Sequence, residues 1–407
     1  MGGVLNEKVD RIASEFNESQ QEFIVKPVYK GNYTETMTAG VAAFRAKKHP
    51  HIIQVFEVGT ATMMAATRAV YPVYQLMNDA GEKFYPQKFL QAVTGYYTDS
   101  DNNMYSMPFN SSTPVLYYNK DALDKQGVSL SSSESPSWYE IEKIAKKAQE
   151  DGYECGITVG WQSWTQLENY AAVHNLEFSS LSNGFDGLDT KLDLDQEHIL
   201  HHVGRLREWQ KTNLFSYGGR RSDAAPKFYN AECVFYINSS ASYSSVEANV
   251  KKFKFSVAPL PYYPEIEAKP KNSIIGGASL WVLRGHAPAS YRGVARFFTF
   301  LTSPEIQARW HQETGYLPVT IPAYELTKEQ GFYLKNPGTD TAILQMTRVT
   351  PTKNSKGLRI GNFVQIRDVI NEELEAIWAG SKTASEGLKD ATRRSNKLVD
   401  KFLRRNF

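Results

Sequence analysis

Between Leu5 and Arg68 the chain alternates two kinds of apolar pattern, and that alternation restricts its fold more than any other feature. Leu5, Val9, Ile12, Ala13 and Phe16 recur at helical spacing, so the chain opens on an amphipathic helix with no strand before it. Phe23 to Tyr29 then reads as a strand, Thr34 to Lys48 as a helix, Ile52 to Phe56 as a buried strand, and Thr60 to Arg68 as another helix. Helix and strand in turn imply an α/β architecture with a parallel sheet and right-handed crossovers.

A second regime begins near Pro108, with the run Val115-Leu116-Tyr117-Tyr118. Ser135-Pro136-Ser137-Trp138, followed by Glu140, marks the start of a helix that should run to about Gly152. Ile199, Leu200, Val203, Leu206 and Trp209 form a further helical stripe, and Phe253–Val257 and Ala278–Leu283 are strand-like. Ile366, Val369, Ile370, Leu374, Ile377 and Trp378 repeat at i, i+3, i+4, and Leu388, Ala391, Leu398 and Phe402 predict a closing helix. A chain of 407 residues that is 41% hydrophobic favours two lobes over one. There is no internal repeat and no low-complexity linker, so the lobes are expected to be ones that the chain crosses more than once.

Charge and cysteine content narrow the function classes. Lys+Arg 46 against Asp+Glu 44 leaves a net charge of +2, which asks for no nucleic acid, anionic membrane or polyanionic partner. Cys155 and Cys233 are too few for a disulfide framework or a zinc site; they either pair once or stay buried as thiols. No run reaches the length of a membrane span. The first residues, Met1 to Lys8, lack the apolar core of a signal peptide, so the chain as written is expected to stay in the cytoplasm.

The signatures G-x-x-x-x-G-K-[ST], G-x-G-x-x-G, H-E-x-x-H and G-x-S-x-G are all missing, so no catalytic site, metal or cofactor is expected. His198, His201 and His202 are expected to form a solvated helix face, and Lys47-Lys48-His49 and Lys251-Lys252 to be surface. What stands out instead is a set of small polar clusters pressed against apolar runs: Phe109 to Pro114, Asn238-Ser239-Ser240, and Ile274 to Trp281. Such segments supply hydroxyls and bare backbone N–H groups beside a packed scaffold, as a polar ligand pocket requires. Gly276-Gly277 reads equally as a bend feeding a strand or as a point of close ligand approach. Glu57 ends a buried strand, where ligand-facing residues of open α/β sheets emerge. Arg367 precedes an acidic stretch, Asn371-Glu372-Glu373, and so reads either as an intrahelical ion pair or as a guanidinium for a phosphate or carboxylate.

Set in order, several segments resemble one family: Lys30 to Tyr33, Gln54 to Met64, Pro108 to Lys120, Gly160 to Asn169, Ile274 to Val282, Trp310 to Pro318 and Gly357 to Asn362. The chain is similar, essentially end to end, to the sn-glycerol-3-phosphate-binding receptors, the periplasmic solute-binding proteins of an ABC importer. The resemblance implies a two-lobed periplasmic binding protein fold, maltose-binding-protein-like and of class II, with the ligand in the interlobe cleft. Lobe one is expected at 1–110 plus 272–316 and lobe two at 111–271 plus 317–407. It implies a non-enzymatic, monomeric receptor that hands sn-glycerol-3-phosphate, or a glycerophosphodiester, to an inner-membrane permease and its ATPase. Motif by motif, the family's ligand positions fall on Tyr33, Glu57, Ser112, Trp161, Ser239, Gly277, Tyr316 and Arg367, with the residues flanking Ser239 departing from the family's smaller ones.

The chemistry of those positions suits a phosphate ester. Arg367 supplies charge and a fork, Ser112, Ser239, Tyr316 and the Gly277 N–H supply hydrogen bonds, Glu57 accepts from glycerol hydroxyls, and Trp161 offers a flat wall. A glycerophosphocholine-preferring receptor and a glycerophosphodiester hydrolase are the alternatives; Trp161 favours the smaller ligand, and a hydrolase needs a second carboxylate or a metal beside Glu57. In one respect the chain departs from the family. The family's mature chain begins with a short strand ending in Trp-His-Ser-Met, and Met1 aligns at that methionine. The signal peptide and the first strand of lobe one are therefore expected to be missing, lost to an internal start.

Overall fold

The structure is a computed structural model that describes residues 4–406; the junction expected at Met1 lies outside them. Two compact units result. One comprises the described residues up to Ser111 together with Gly276–Phe332, and the other comprises Ser112–Ile275 together with the described residues from Tyr333 onward. The strands, in chain order, are β1 (Ile52–Phe56), β2 (Val70–Tyr71), β3 (Met107–Ser112), β4 (Pro114–Asn119), β5 (Cys155–Val159), β6 (Cys233–Ser239), β7 (Phe255–Ala258) and β8 (Gly276–Leu283).

In the first unit the central strand is β8. It pairs antiparallel with β1, from Ile52↔Val282 to Phe56↔Ala278, and antiparallel with β2, and β3 also pairs with it. The parallel sheet expected from the opening alternation is thus corrected, because the strand beside β1 arrives from residue 276 rather than from the next strand–helix repeat. The opening helix forms at Val4–Ser19 and buries Ile12, Ala13 and Phe16. Phe16 sits edge-on to Phe297 and Phe300, 5.3 and 5.6 Å between ring centroids, on the helix Pro288–Leu301. Phe23–Tyr29 does not form the expected strand. Its residue Val25 exchanges both backbone hydrogen bonds with the Asn17 side chain, and Ile24 and Val28 are 73% and 68% exposed. Residues 317–332 lie with this unit rather than in lobe two, because the Leu317 amide bonds to the Ser111 carbonyl and Leu90 to Val319.

In the second unit the sheet order is β5-β6-β4-β7, parallel between β5 and β6 and antiparallel elsewhere. The parallel register places Cys155 opposite Cys233, and the two form a disulfide, which decides between the two readings left open by the sequence. The helix Trp138–Glu150 starts where the sequence puts it. Ser137 accepts from the Glu140 amide while the Glu140 carboxylate accepts from the Ser137 amide, satisfying two of the N–H groups that a helix start otherwise leaves unpaired. The helices Glu197–Lys211, Phe363–Trp378 and Ala384–Asn406 follow their predicted apolar stripes.

Candidate functional site

In the first unit four of the expected residues are drawn together by the end of β1. The register Phe56↔Ala278 places Glu57 and Gly277 at the next positions beyond the ladder. Glu57 opens a short 3-10 turn and is buried, with its carbonyl accepting from the Tyr96 hydroxyl at 3.1 Å. Gly277 has φ +86°, and a Cβ there would lie 1.9 Å from the Asn110 carbonyl oxygen, so the backbone conformation and the space both require glycine. The side chain of that same Asn110 donates to the Tyr33 hydroxyl at 2.8 Å and accepts from Gln54 at 2.8 Å.

Tyr33 is the first residue of the helix Tyr33–Arg45, whose start is set by the reciprocal Asn32–Glu35 cap. Its ring stacks on Phe56 at 5.3 Å. Tyr316 is held from three directions by the helix Pro304–Thr314, which ends in the left-handed Gly315. Its amide donates to Thr314 Oγ1 at 3.1 Å, its carbonyl accepts from His311 Nδ1 at 2.6 Å, and its ring lies parallel to Trp310 at 5.7 Å. The Tyr316 hydroxyl is in hydrogen-bonding range of Tyr33 and Asn110. Desolvation by burial, the neighbouring Tyr316 and then the Glu57 charge push the Tyr33 hydroxyl well above its ordinary pKa, so it remains a neutral donor. Burial and Glu57 do the same to Tyr97. The result is one carboxylate beside a set of fixed, un-ionised hydroxyls.

In the second unit Ser112 ends β3 and is buried. The ladder partner Pro114↔Ser239 and the bond from the Ser240 amide to the Thr113 carbonyl, 2.8 Å, bring Ser112–Pro114 beside Ser239–Ser240. The Ser239 hydroxyl accepts from the Ala241 amide, capping a short turn, and the Ser239 carbonyl accepts from Tyr117. Trp161 adopts φ +50°, unusual for a bulky side chain, and is held by N–H donation to the Arg221 carbonyl at 2.9 Å and by the Thr165 amide on its own carbonyl. Strain of this kind persists where surrounding bonds over-determine it, and it clusters at ligand sites.

The chain then forms a π-helical turn, Trp164–Glu168, that aims Glu168 at Arg367. Arg367 Nε donates to Oε1 at 2.9 Å and Nη2 to Oε2 at 2.6 Å; the two side chains are 9% and 1% exposed. The Ser163 hydroxyl also donates to Glu168 Oε1, at 3.0 Å. This corrects the intrahelical pairing offered for Arg367. Glu373 and Glu372 instead take Arg394, with Glu373 also accepting from Lys382. A fork facing a ligand alone is likewise not what the structure holds, since Nε and Nη2 already meet a carboxylate.

The structure therefore assembles Tyr33, Glu57, Gly277 and Tyr316 in one unit, and in the other it sets Ser112 beside Ser239 and links Trp161, through the turn that follows it, to Arg367. Gln54, Asn110, Tyr97, His311 and Glu168 belong to these clusters and were not singled out from sequence, although Gln54, Asn110, His311 and Glu168 lie inside the motif segments. Among the described residues no group of three or more His, Cys, Asp or Glu is placed to hold a metal ion. His198 and His201 are exposed, but His202 is not part of a solvated face: it is buried, stacked on Tyr170 at 4.1 Å and 3.2 Å from Gln166 Oε1. Lys47, Lys48, Lys251 and Lys252 are exposed as expected, whereas His49 bonds to the Arg284 carbonyl. Among the described residues no helix is long and apolar enough to cross a membrane.

These clusters gather polar groups of the kind that a small polar solute would need, and known proteins share the fold that carries them. Two solved structures share the two-lobed, maltose-binding-protein-like fold: UgpB from Mycobacterium tuberculosis in complex with glycerophosphocholine, TM-score 0.80 at 20% identity over 98% of this chain and 96% of that one, and maltose-bound MalE3 of T. maritima, TM-score 0.77 at 20% identity over 98% of each. The chain belongs to the bacterial extracellular solute-binding protein family, whose model matches residues 11–336. It is 47% identical to the sn-glycerol-3-phosphate-binding periplasmic protein UgpB of Salmonella paratyphi A over 404 residues, 99% of this chain and 91% of that one.

Proposed function

We propose that this chain is the periplasmic solute-binding component of an ABC importer, that it captures sn-glycerol-3-phosphate, and that it delivers it as a monomer to a membrane permease and its ATPase without catalysing a reaction. The observation that carries this reading is the 47% identity, spread over 99% of the chain, to a protein named for binding that solute. The site chemistry supports it. Tyr33, Glu57, Gly277 and Tyr316 of the first unit, and Ser112, Trp161, Ser239 and Arg367 of the second, contribute to binding. Glu57 accepts hydrogen bonds from the glycerol hydroxyls, the neutral hydroxyls and the Gly277 N–H donate to phosphate oxygens, and Arg367 contributes the cationic donor.

The glycerophosphocholine bound to the structural neighbour from M. tuberculosis favours a second reading, in which a glycerophosphodiester is the preferred ligand. A hydrolase would need a second carboxylate or a metal beside Glu57; the Tyr33 and Tyr97 hydroxyls lie near its charge, and the Tyr96 hydroxyl donates to its backbone carbonyl. Calorimetric titration with sn-glycerol-3-phosphate, glycerophosphocholine, glycerol and inorganic phosphate separates the readings. Saturable binding of sn-glycerol-3-phosphate, tighter than that of the diester and absent for glycerol, is expected. Tighter binding of the diester selects the second reading, and binding of neither ester overturns both.

A further inference from the structure

We infer that Glu168 is a specificity-determining residue that sets how much negative charge the phosphate site accepts. The inference rests on Arg367 meeting the phosphate of a glycerol ester, as proposed above. The guanidinium is not an isolated cation. Two of its three nitrogens donate to one carboxylate at 2.6 and 2.9 Å, both side chains are almost fully buried, and Ser163 fixes the same carboxylate oxygen. An anion that reaches Arg367 therefore meets a guanidinium already paired with a carboxylate rather than a bare cation.

A pair presents a dipole, whose attraction falls with distance faster than that of a bare charge, and the carboxylate repels each added charge on the ligand. The second ionisation of a phosphomonoester, near pH ~6, then gains only a fraction of what an unpaired guanidinium would give. Glu168 does not touch the ligand in this account; it acts through Arg367 and is a positioning residue with an electrostatic readout. Substituting glutamine keeps the shape and one acceptor but removes the charge. Asp368, which neighbours Arg367 on the same helix and has Glu372, Arg220 and Arg221 around it, and the Arg220–Glu375 pair are unchanged by that substitution.

The test uses two ligands that differ in how they titrate. sn-Glycerol-3-phosphate passes from monoanion to dianion between about pH 5.5 and 7.5, while the phosphodiester of glycerophosphocholine keeps one negative charge and reports any titration of the protein itself. In the wild type the ratio of their affinities is expected to change little across that range. In Glu168→Gln it should rise toward the dianion by roughly tenfold more than in the wild type. Superimposable pH profiles for the two proteins, or a smaller rise in the variant, overturn the inference and leave Glu168 a structural role only.

If Glu168→Gln does not fold, wild-type calorimetry in two buffers of different ionisation enthalpy near pH ~6 decides instead. Proton release close to zero per sn-glycerol-3-phosphate bound is expected, and release of about half a proton overturns the inference. A wild type that binds neither ester at any pH is a different result: it removes the proposed function and this inference with it.

Discussion

Replacing Gly277 with alanine tests whether the loop after β1 and the start of β8 are as tightly built as the site chemistry requires. Two costs add. An L residue at φ +86° loses about 1–2 kcal/mol relative to glycine. The added Cβ would also stand 1.9 Å from the Asn110 carbonyl oxygen, so that backbone must move. Asn110 is the hub that ties Gln54 to Tyr33, and displacing it loosens two hydrogen bonds worth about 1 kcal/mol each. The sum is about 3–4 kcal/mol, which for a unit of this size lowers its melting temperature by about 10 °C. Differential scanning calorimetry measures the shift, and titration with sn-glycerol-3-phosphate should show at least a tenfold weaker Kd, because Tyr33 and the Gly277 N–H both leave their positions. A variant that melts within about 2 °C of the wild type and binds equally well would refute the reasoning, since it would mean that residue 277 has room that the geometry denies.

Two further outcomes follow from buried groups. Burial holds the pKa values of His311 and His174, one in each unit, down to about 4. Each binds its proton more readily in the unfolded chain, near pH 6.5, so stability falls as pH drops from about 6.5 to about 4, by up to roughly 3 kcal/mol per group; melting temperatures that stay flat between pH 7 and pH 4.5 would contradict this. The disulfide Cys155–Cys233 closes a loop with a sequence separation of 78, and chain entropy assigns it about 4.5 kcal/mol. Reduction, or the double replacement Cys155→Ser with Cys233→Ser, should lower the melting temperature of the second unit and leave that of the first in place.

Local signals in the sequence were reliable where the physics is local. The Ser137–Glu140 cap and the apolar stripe of Phe363–Trp378 needed only neighbours within a few residues, and the helices form there. Phe23–Tyr29 failed because strand propensity does not supply a partner, and the Asn17 side chain takes both backbone bonds of Val25 instead. The antiparallel centre of the first sheet was equally hidden, since β8 joins β1 from more than 200 residues away. The site shows the same division. Motif order proposes its positions, but the partner of Arg367 could not be read at all: helical spacing pointed to Glu372 and Glu373, whereas the carboxylate that arrives is 199 residues distant on a π-turn. His202 went wrong for a related reason, because the face of its helix that packs on Tyr170 is set by tertiary contacts.

The most direct test of the central claim is a crystal structure of the chain grown with sn-glycerol-3-phosphate. The account predicts ligand density with its glycerol hydroxyls on Glu57 and its phosphate against Arg367, with Tyr33, Gly277, Tyr316, Ser112, Trp161 and Ser239 within contact distance. Density for the ligand at residues outside these two clusters, or a phosphate that leaves Arg367 and its Glu168 pair untouched, would contradict it.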